Sequence, residues 1–110
     1  MKLRTGTMEG VAMDYVAQED LHPAEDNHGN MKMVDGKPVY SLRGVVVRDA
    51  DGRTIKASTV RVKNRPTEDI PDMSKLRCVD CIASVWQDGN RIALSVTADH
   101  VEIVMNAPLK

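Results

Sequence analysis

Residues 37–65 read KPVYSLRGVVVRDADGRTIKASTVRVKNR, and the fold turns on how this stretch is parsed. Two runs rich in β-branched residues, 39–48 and 54–63, flank the tetrapeptide Asp49-Ala50-Asp51-Gly52. An Asp-Gly pair between such runs is a hairpin signal, because glycine supplies the positive φ that tight turns demand. The same stretch carries eight Lys/Arg against two Asp, a surplus of six positive charges in a chain whose formal net charge is -1. The charge is therefore predicted to ride on a stiff β-ribbon, a plausible track for a phosphate backbone.

With a turn over 49–52, strand alternation puts Tyr40, Leu42, Gly44 and Val46 on one face with Ile55, Ala57, Thr59, Arg61 and Lys63. Val39, Val45, Val47, Val60 and Val62 share the other face with Arg43, Lys56 and Ser58. The valine-rich set is expected to point inward, leaving Tyr40, Arg61 and Lys63 outward.

Working outward, residues 2–16 alternate and are interrupted by Gly6 and Gly10, which fits a long first strand that coils or bulges at its glycines. Residues 17–36 hold five acidic side chains and one Lys, broken by Pro23, Gly29 and Gly36, and are expected to form a long, mobile acidic loop. Residues 65–74 contain Pro66 and Pro71 and allow one helical turn or a loop. A strand is predicted over 76–86, with Val79, Cys81, Ala83 and Val85 inward. A turn at Gln87-Asp88-Gly89-Asn90 leads to a last strand over 91–104, broken at Ala98-Asp99-His100.

At 110 residues the chain is expected to be one domain, 1–110. With Tyr15, Tyr40 and Trp86 the only aromatic residues and no Phe, the core must be filled by Val, Ile, Leu, Ala and Met. No apolar run approaches the ~20 residues of a membrane-spanning helix, and the first ten residues lack the apolar stretch of a secretion signal. Two cysteines are too few for a secreted disulfide framework, so a cytoplasmic location is expected.

Five strands in this order, built around GKPVYSLRGVVVRDADGRTIKASTVRV and LRCVDCIASVWQDGNRIALSVTADHVEIV, resemble the all-β OB-fold, a five-stranded Greek-key barrel, here with a long loop between its first two strands. The layout is also similar to small phage and plasmid single-stranded-DNA-binding proteins, in which a Gly-Lys-Pro, Tyr, Ser, Leu pattern leads into the second strand. The resemblance implies a non-catalytic protein that coats single-stranded DNA during replication with little sequence preference, commonly as a homodimer or larger oligomer, alongside other replication proteins. Tyr40 would then stack a base, and Arg43, Arg61 and Lys63 would meet phosphates. Arg48 and Lys56 extend the cationic set, while Trp86 and Tyr15 sit beside loops that such barrels use for ligands. Two alternatives stay open: an OB-like protein-interaction module in a phage, plasmid or replication assembly, and an RNA-binding OB domain.

Each aromatic residue also has a plain packing role, Tyr40 at a core edge and Trp86 as an apolar plug. Cys78 and Cys81 are three apart, a spacing that sends side chains to opposite faces of a regular strand and argues against a metal site or thiol exchange. Asp99-His100 has no candidate nucleophile or third group in reach of the sequence, so neither catalysis nor a cofactor is expected.

Overall fold

The computed structural model describes residues 2–25, 28–34, 36–49, 51–55, 58–89 and 91–105, and of residues 2, 86, 88, 91, 92 and 105 the backbone alone. Among the described residues ten strands follow one another: β1 (Lys2–Ala12), β2 (Met33–Val34), β3 (Lys37–Pro38), β4 (Tyr40–Leu42), β5 (Val45–Arg48), β6 (Thr54–Ile55), β7 (Ser58–Val62), β8 (Lys75–Asp88), β9 (Arg91–Ala98) and β10 (His100–Met105). The one helical element among the described residues is a 3-10 turn, Gln18–Asp20. No helix among them is long and apolar enough to cross a membrane.

The hairpin forms where its turn residues predict, but with a loop one residue longer. Asp49 Oδ1 accepts the backbone N–H groups of Asp51 and Arg53, both at 2.9 Å, and the Asp49 N–H donates to the Arg53 carbonyl at 2.8 Å. The ladder therefore starts at Arg48↔Thr54 and Val47↔Ile55. It resumes in the same register at Leu42↔Val60, Ser41↔Arg61 and Tyr40↔Val62. A slip of one residue exchanges the faces of a strand pair. Tyr40 thus lies on the side of Val60 and Val62, half-buried against the core, and Arg61 lies on the opposite side, across from Ser41. The shared outward face expected for Tyr40, Arg61 and Lys63 does not form.

The second surprise is a break in the first hairpin strand. Leu42 and Val45 are both buried, at 2% exposure each, although residues three apart in an unbroken strand face opposite ways. The turn at Arg43-Gly44, with Gly44 at φ 82°, resets the alternation so that both enter the core. Across this turn the chain changes partner strands: β4 pairs with β7, whereas β5 pairs with β1 and β6. Ser58 helps hold the two parts together, accepting the Val47 N–H at 3.1 Å and donating to the Ile55 carbonyl at 2.5 Å.

The strand order is β4-β7-β9-β8-β1-β5-β6, with β10 on β8 and a separate β2-β3 pair. The two parts of the expected second strand stand at opposite ends of this path, which curls 226° round and leaves its edges 15 Å apart. This is an open, curled sheet of seven to eight strands, not the closed five-stranded OB barrel expected from the sequence. The resemblance to phage and plasmid single-stranded-DNA-binding proteins loses its structural basis with it.

β8 organises the sheet. Its first half lies between β1 and β10, its second between β1 and β9. The predicted break at Asp99 is present and separates β9 from β10. Asp80 adopts φ 53°, a left-handed conformation that few non-glycine residues take. This bulge overturns the expectation for the cysteines: Leu76 and Cys78 face the core before it, Cys81 and Ala83 after it, so both thiols are fully buried on one side. Val45, Val47, Val60, Val62 and Val96 complete a core of small β-branched residues, as the scarcity of aromatic side chains required.

β1 is covered unevenly. Gly10, Val11 and Ala12 are sandwiched between β5 and β8, whereas residues 2–9 pair only with β8 among the described residues. Residues 3–7 are exposed on both faces, and the register shifts twice around Gly6. Gly10 is a close-approach position, because a Cβ there would stand 3.2 Å from the Val46 carbonyl and 3.3 Å from Cys78 Sγ.

Candidate functional site

The polar segment after β1 is docked on the sheet by its few apolar residues. Val16 and Leu21 are buried, and Val16 exchanges two backbone hydrogen bonds of 2.9 Å with Ile70. Asp69 clamps the same region from the side: Tyr15 Oη donates to Oδ2 at 2.5 Å and the Gln18 N–H donates to Oδ1 at 2.9 Å. These bonds hold the Asp69 carboxyl below the usual carboxylate range, the Tyr15 hydroxyl contributing most, and push the Tyr15 phenol up. Further on, Pro23 bridges to Tyr40 and the Ala24 N–H donates to the Val39 carbonyl at 2.7 Å. Residues 17–25 are therefore tied to β4 instead of forming a detached loop.

Between this segment and β4 runs an open groove of about 480 Å³. Ala17, Leu21 and Pro23 supply its apolar lining, and Tyr15, Asp20, His22, Ser41 and Arg43 its polar groups. Arg43 is carried there by the β4-β5 turn, whose Gly44 carbonyl accepts the Met13 N–H at 2.6 Å. Neither the Arg43 guanidinium nor the Asp20 carboxylate has a hydrogen-bond or ion-pair partner among the described residues, and the two do not pair with each other. Tyr15 is 55% exposed, so its ring is presented while its hydroxyl is held.

The cations of the ribbon diverge. Arg43 lines the groove. Arg48 lies at the far end of β5, where with Glu9, Lys75 and Val104 it lines a small cavity of about 50 Å³. Arg61 lies in mid-sheet between Ser41 and Thr97. Lys63 follows β7, its N–H on the Ala98 carbonyl; the Asp99 carboxylate is held ionised first by its hydrogen bond to His100 and further by the charges of Lys37 and Lys63. The Nε–H groups of Arg48 and Arg61 are buried without a hydrogen-bond partner. Lys56 lies outside the described residues, as does the side chain of Trp86. Of the described aromatic residues, Tyr15 faces the groove and Tyr40 packs on the core. Among the described residues neither a row of stacking rings nor a cradle of converging cations forms, which overturns the single-stranded-DNA function inferred from the sequence. The RNA-binding and OB-like interaction readings rested on the same barrel face and are corrected with it.

Of the anticipated residues whose side chains are described, Tyr15 and Arg43 meet in the groove. Asp20, His22, Ser41 and Asp69 were not anticipated. The one local signal was Val16 and Leu21, apolar residues bracketing an acidic run, which marks a segment that docks.

A second polar cluster sits where β9 gives way to β10. His100 Nδ1 lies 2.8 Å from Asp99 Oδ2 and Nε2 lies 3.2 Å from Glu102 Oε2, while Arg77 Nη1 meets Glu102 Oε1 at 3.1 Å. Two carboxylates on one ring favour the imidazolium, so the His100 pKa is raised, by Asp99 first and Glu102 second. A raised folded-state value means that the protonated ring stabilises the fold. That contribution is complete below ~6.5, the unfolded value, and fades as pH rises through the higher folded midpoint. An NMR titration is expected to place the His100 midpoint above that of an unstructured peptide, and His100→Gln to remove this part of the stability's pH dependence. A midpoint at or below the peptide value would show that the two carboxylates do not grip the ring.

Among the described residues no group of three or more His, Cys, Asp and Glu is placed to hold a metal ion. Comparison of the chain with protein-family models, with curated proteins and with solved structures finds no match.

Proposed function

We propose that this chain is a non-catalytic binding protein whose groove between residues 15–24 and β4 takes a compact zwitterionic molecule of short-peptide size. The observation that carries this reading is the pair of unpartnered opposite charges, Arg43 and Asp20, lining one groove of about 480 Å³. That volume lies within the range of small-ligand sites, ~300–1,000 Å³. The planar fork of Arg43 suits a ligand carboxylate, which it can meet with two parallel hydrogen bonds. Asp20 suits an ammonium group. Tyr15, with its hydroxyl committed to Asp69, offers a ring that is already oriented, and Leu21 and Pro23 offer apolar surface to the body of the ligand. Asp20 also disfavours a ligand bearing only negative charge. A cytoplasmic site of action accords with the low cysteine content.

Calorimetric titration with an apolar dipeptide bearing free termini tests the reading. Blocking the peptide's C-terminus as an amide, or changing Arg43→Gln, is expected to weaken binding about tenfold, the lower end for a charge-assisted hydrogen bond. The two changes together should cost little more than either alone. Acetylating the peptide's N-terminus should behave likewise with Asp20→Asn. If the free dipeptide does not bind, or if Arg43→Gln binds it as well as the parent chain does, the groove does not serve this purpose.

A further inference from the structure

Along a regular strand, residues three apart have Cα atoms separated by ~10 Å, beyond the ~7 Å that a disulfide spans. The left-handed Asp80 interrupts that regular extension, and both cysteines turn inward. Cys81 Sγ donates to the Cys78 carbonyl at 3.2 Å, which turns the Cys81 side chain back toward residue 78 on the core side. Cys78 Sγ occupies space left by the missing side chain of Gly10. We propose that Cys78 and Cys81 are an oxidisable dithiol, closed to an intrachain disulfide by low-molecular-weight disulfides such as oxidised glutathione.

Cys81 is the attacking sulfur. Its thiolate is favoured by hydrogen bonds from the Cys78 thiol and from the Met8 N–H, while the bond to Cys81 together with burial pushes the Cys78 thiol up. The Cys81 thiolate attacks one sulfur of the oxidant, breaking its S–S bond, forming a mixed disulfide and releasing one thiolate. Cys78 then loses its proton and attacks the Cys81 sulfur, which forms the Cys78–Cys81 bond and expels the second thiolate. Two protein thiols are oxidised, one disulfide is reduced to two small thiols, and the two protons pass to those products.

Access comes through β1. Gly6 is paired opposite Cys81 and Met8 opposite Cys78, in the stretch that has no second strand beside it among the described residues and whose register is already disturbed. Such a segment opens locally without global unfolding.

The test incubates the folded, reduced chain with oxidised glutathione, then reads intact mass and counts free thiols after denaturation. The expected product is a monomer that has lost two hydrogens, has no free thiols and carries no glutathione. Cys78→Ala and Cys81→Ala should each stop at a single glutathione adduct on the remaining cysteine, because no second thiol is present to displace it. Retention of both thiols by the folded chain, under conditions that oxidise the urea-unfolded chain, would overturn the proposal. Products that are intermolecular dimers or stable double adducts would overturn it too. The parent chain's mass decides the question even if neither alanine variant folds.

Discussion

Leu76→Ala is expected to destabilise the chain by about 2–5 kcal/mol, the range for removing a buried leucine's outer atoms and leaving a cavity. Leu76 is 1% exposed at the point where β8 lies between Gly10 of β1 and Ile103 of β10. Its neighbours belong to three paired strands whose backbones are fixed by their ladders, so little collapse can refill the space. Against a total stability of ~5–15 kcal/mol, typical of native domains, the loss is a large fraction. In thermal unfolding it corresponds to a Tm lowered by roughly 10–20 °C. Leu3→Ala is the matched control, because Leu3 is 46% exposed on the bare part of β1 and its truncation should stay within ~0.5 kcal/mol. Equal effects at the two sites would contradict the placement of the core.

Gly44→Val is expected to be the second severe substitution. The residue has φ 82°, where a side chain costs ~1–2 kcal/mol through its clash with the backbone, and more for a β-branched one. A Cβ there would also stand 2.9 Å from Asp14 Oδ2 and 3.0 Å from Asp14 Cβ. Together these terms predict a loss of about 2–4 kcal/mol in denaturant unfolding. Gly52 shares the same φ of 82° but has nothing within 4 Å, so Gly52→Val isolates the conformational term and should cost visibly less. Because Gly44 shapes the turn that holds Arg43 over the groove, the folded fraction of Gly44→Val should also bind the dipeptide more weakly. Equal losses at both glycines would mean that Asp14 moves aside freely.

Much of the architecture was legible. The Asp-Gly turn, the inward valines, the long glycine-interrupted first strand and the break at Asp99 all follow from local composition and alternation, because local hydrogen bonding and burial decide them. The closure of the sheet was not legible. It depended on whether the loop after Arg48 held four residues or five and on whether Gly44 continued a strand or ended one, and such one-residue choices are settled by partners far along the chain. The same holds for the cysteines, whose shared face depends on one left-handed aspartate. In the groove, Tyr15 was visible as an aromatic residue beside a loop. Its tie to Asp69 joins residues 54 apart in sequence, and no local pattern announces it.

The pairing of β1 with β8 sets a schedule for folding. Lys2 is opposite Ser84, so β1 leaves a ribosome well before the strand that pairs with it. Closing so long a loop is slow, and the parallel register of β7 on β9 adds a second distant pairing. A nascent chain ending near residue 75 would present β1 and the valines of β5 and β7 without the strand that covers them, and would depend on tethering or chaperones until β8 and β9 emerge.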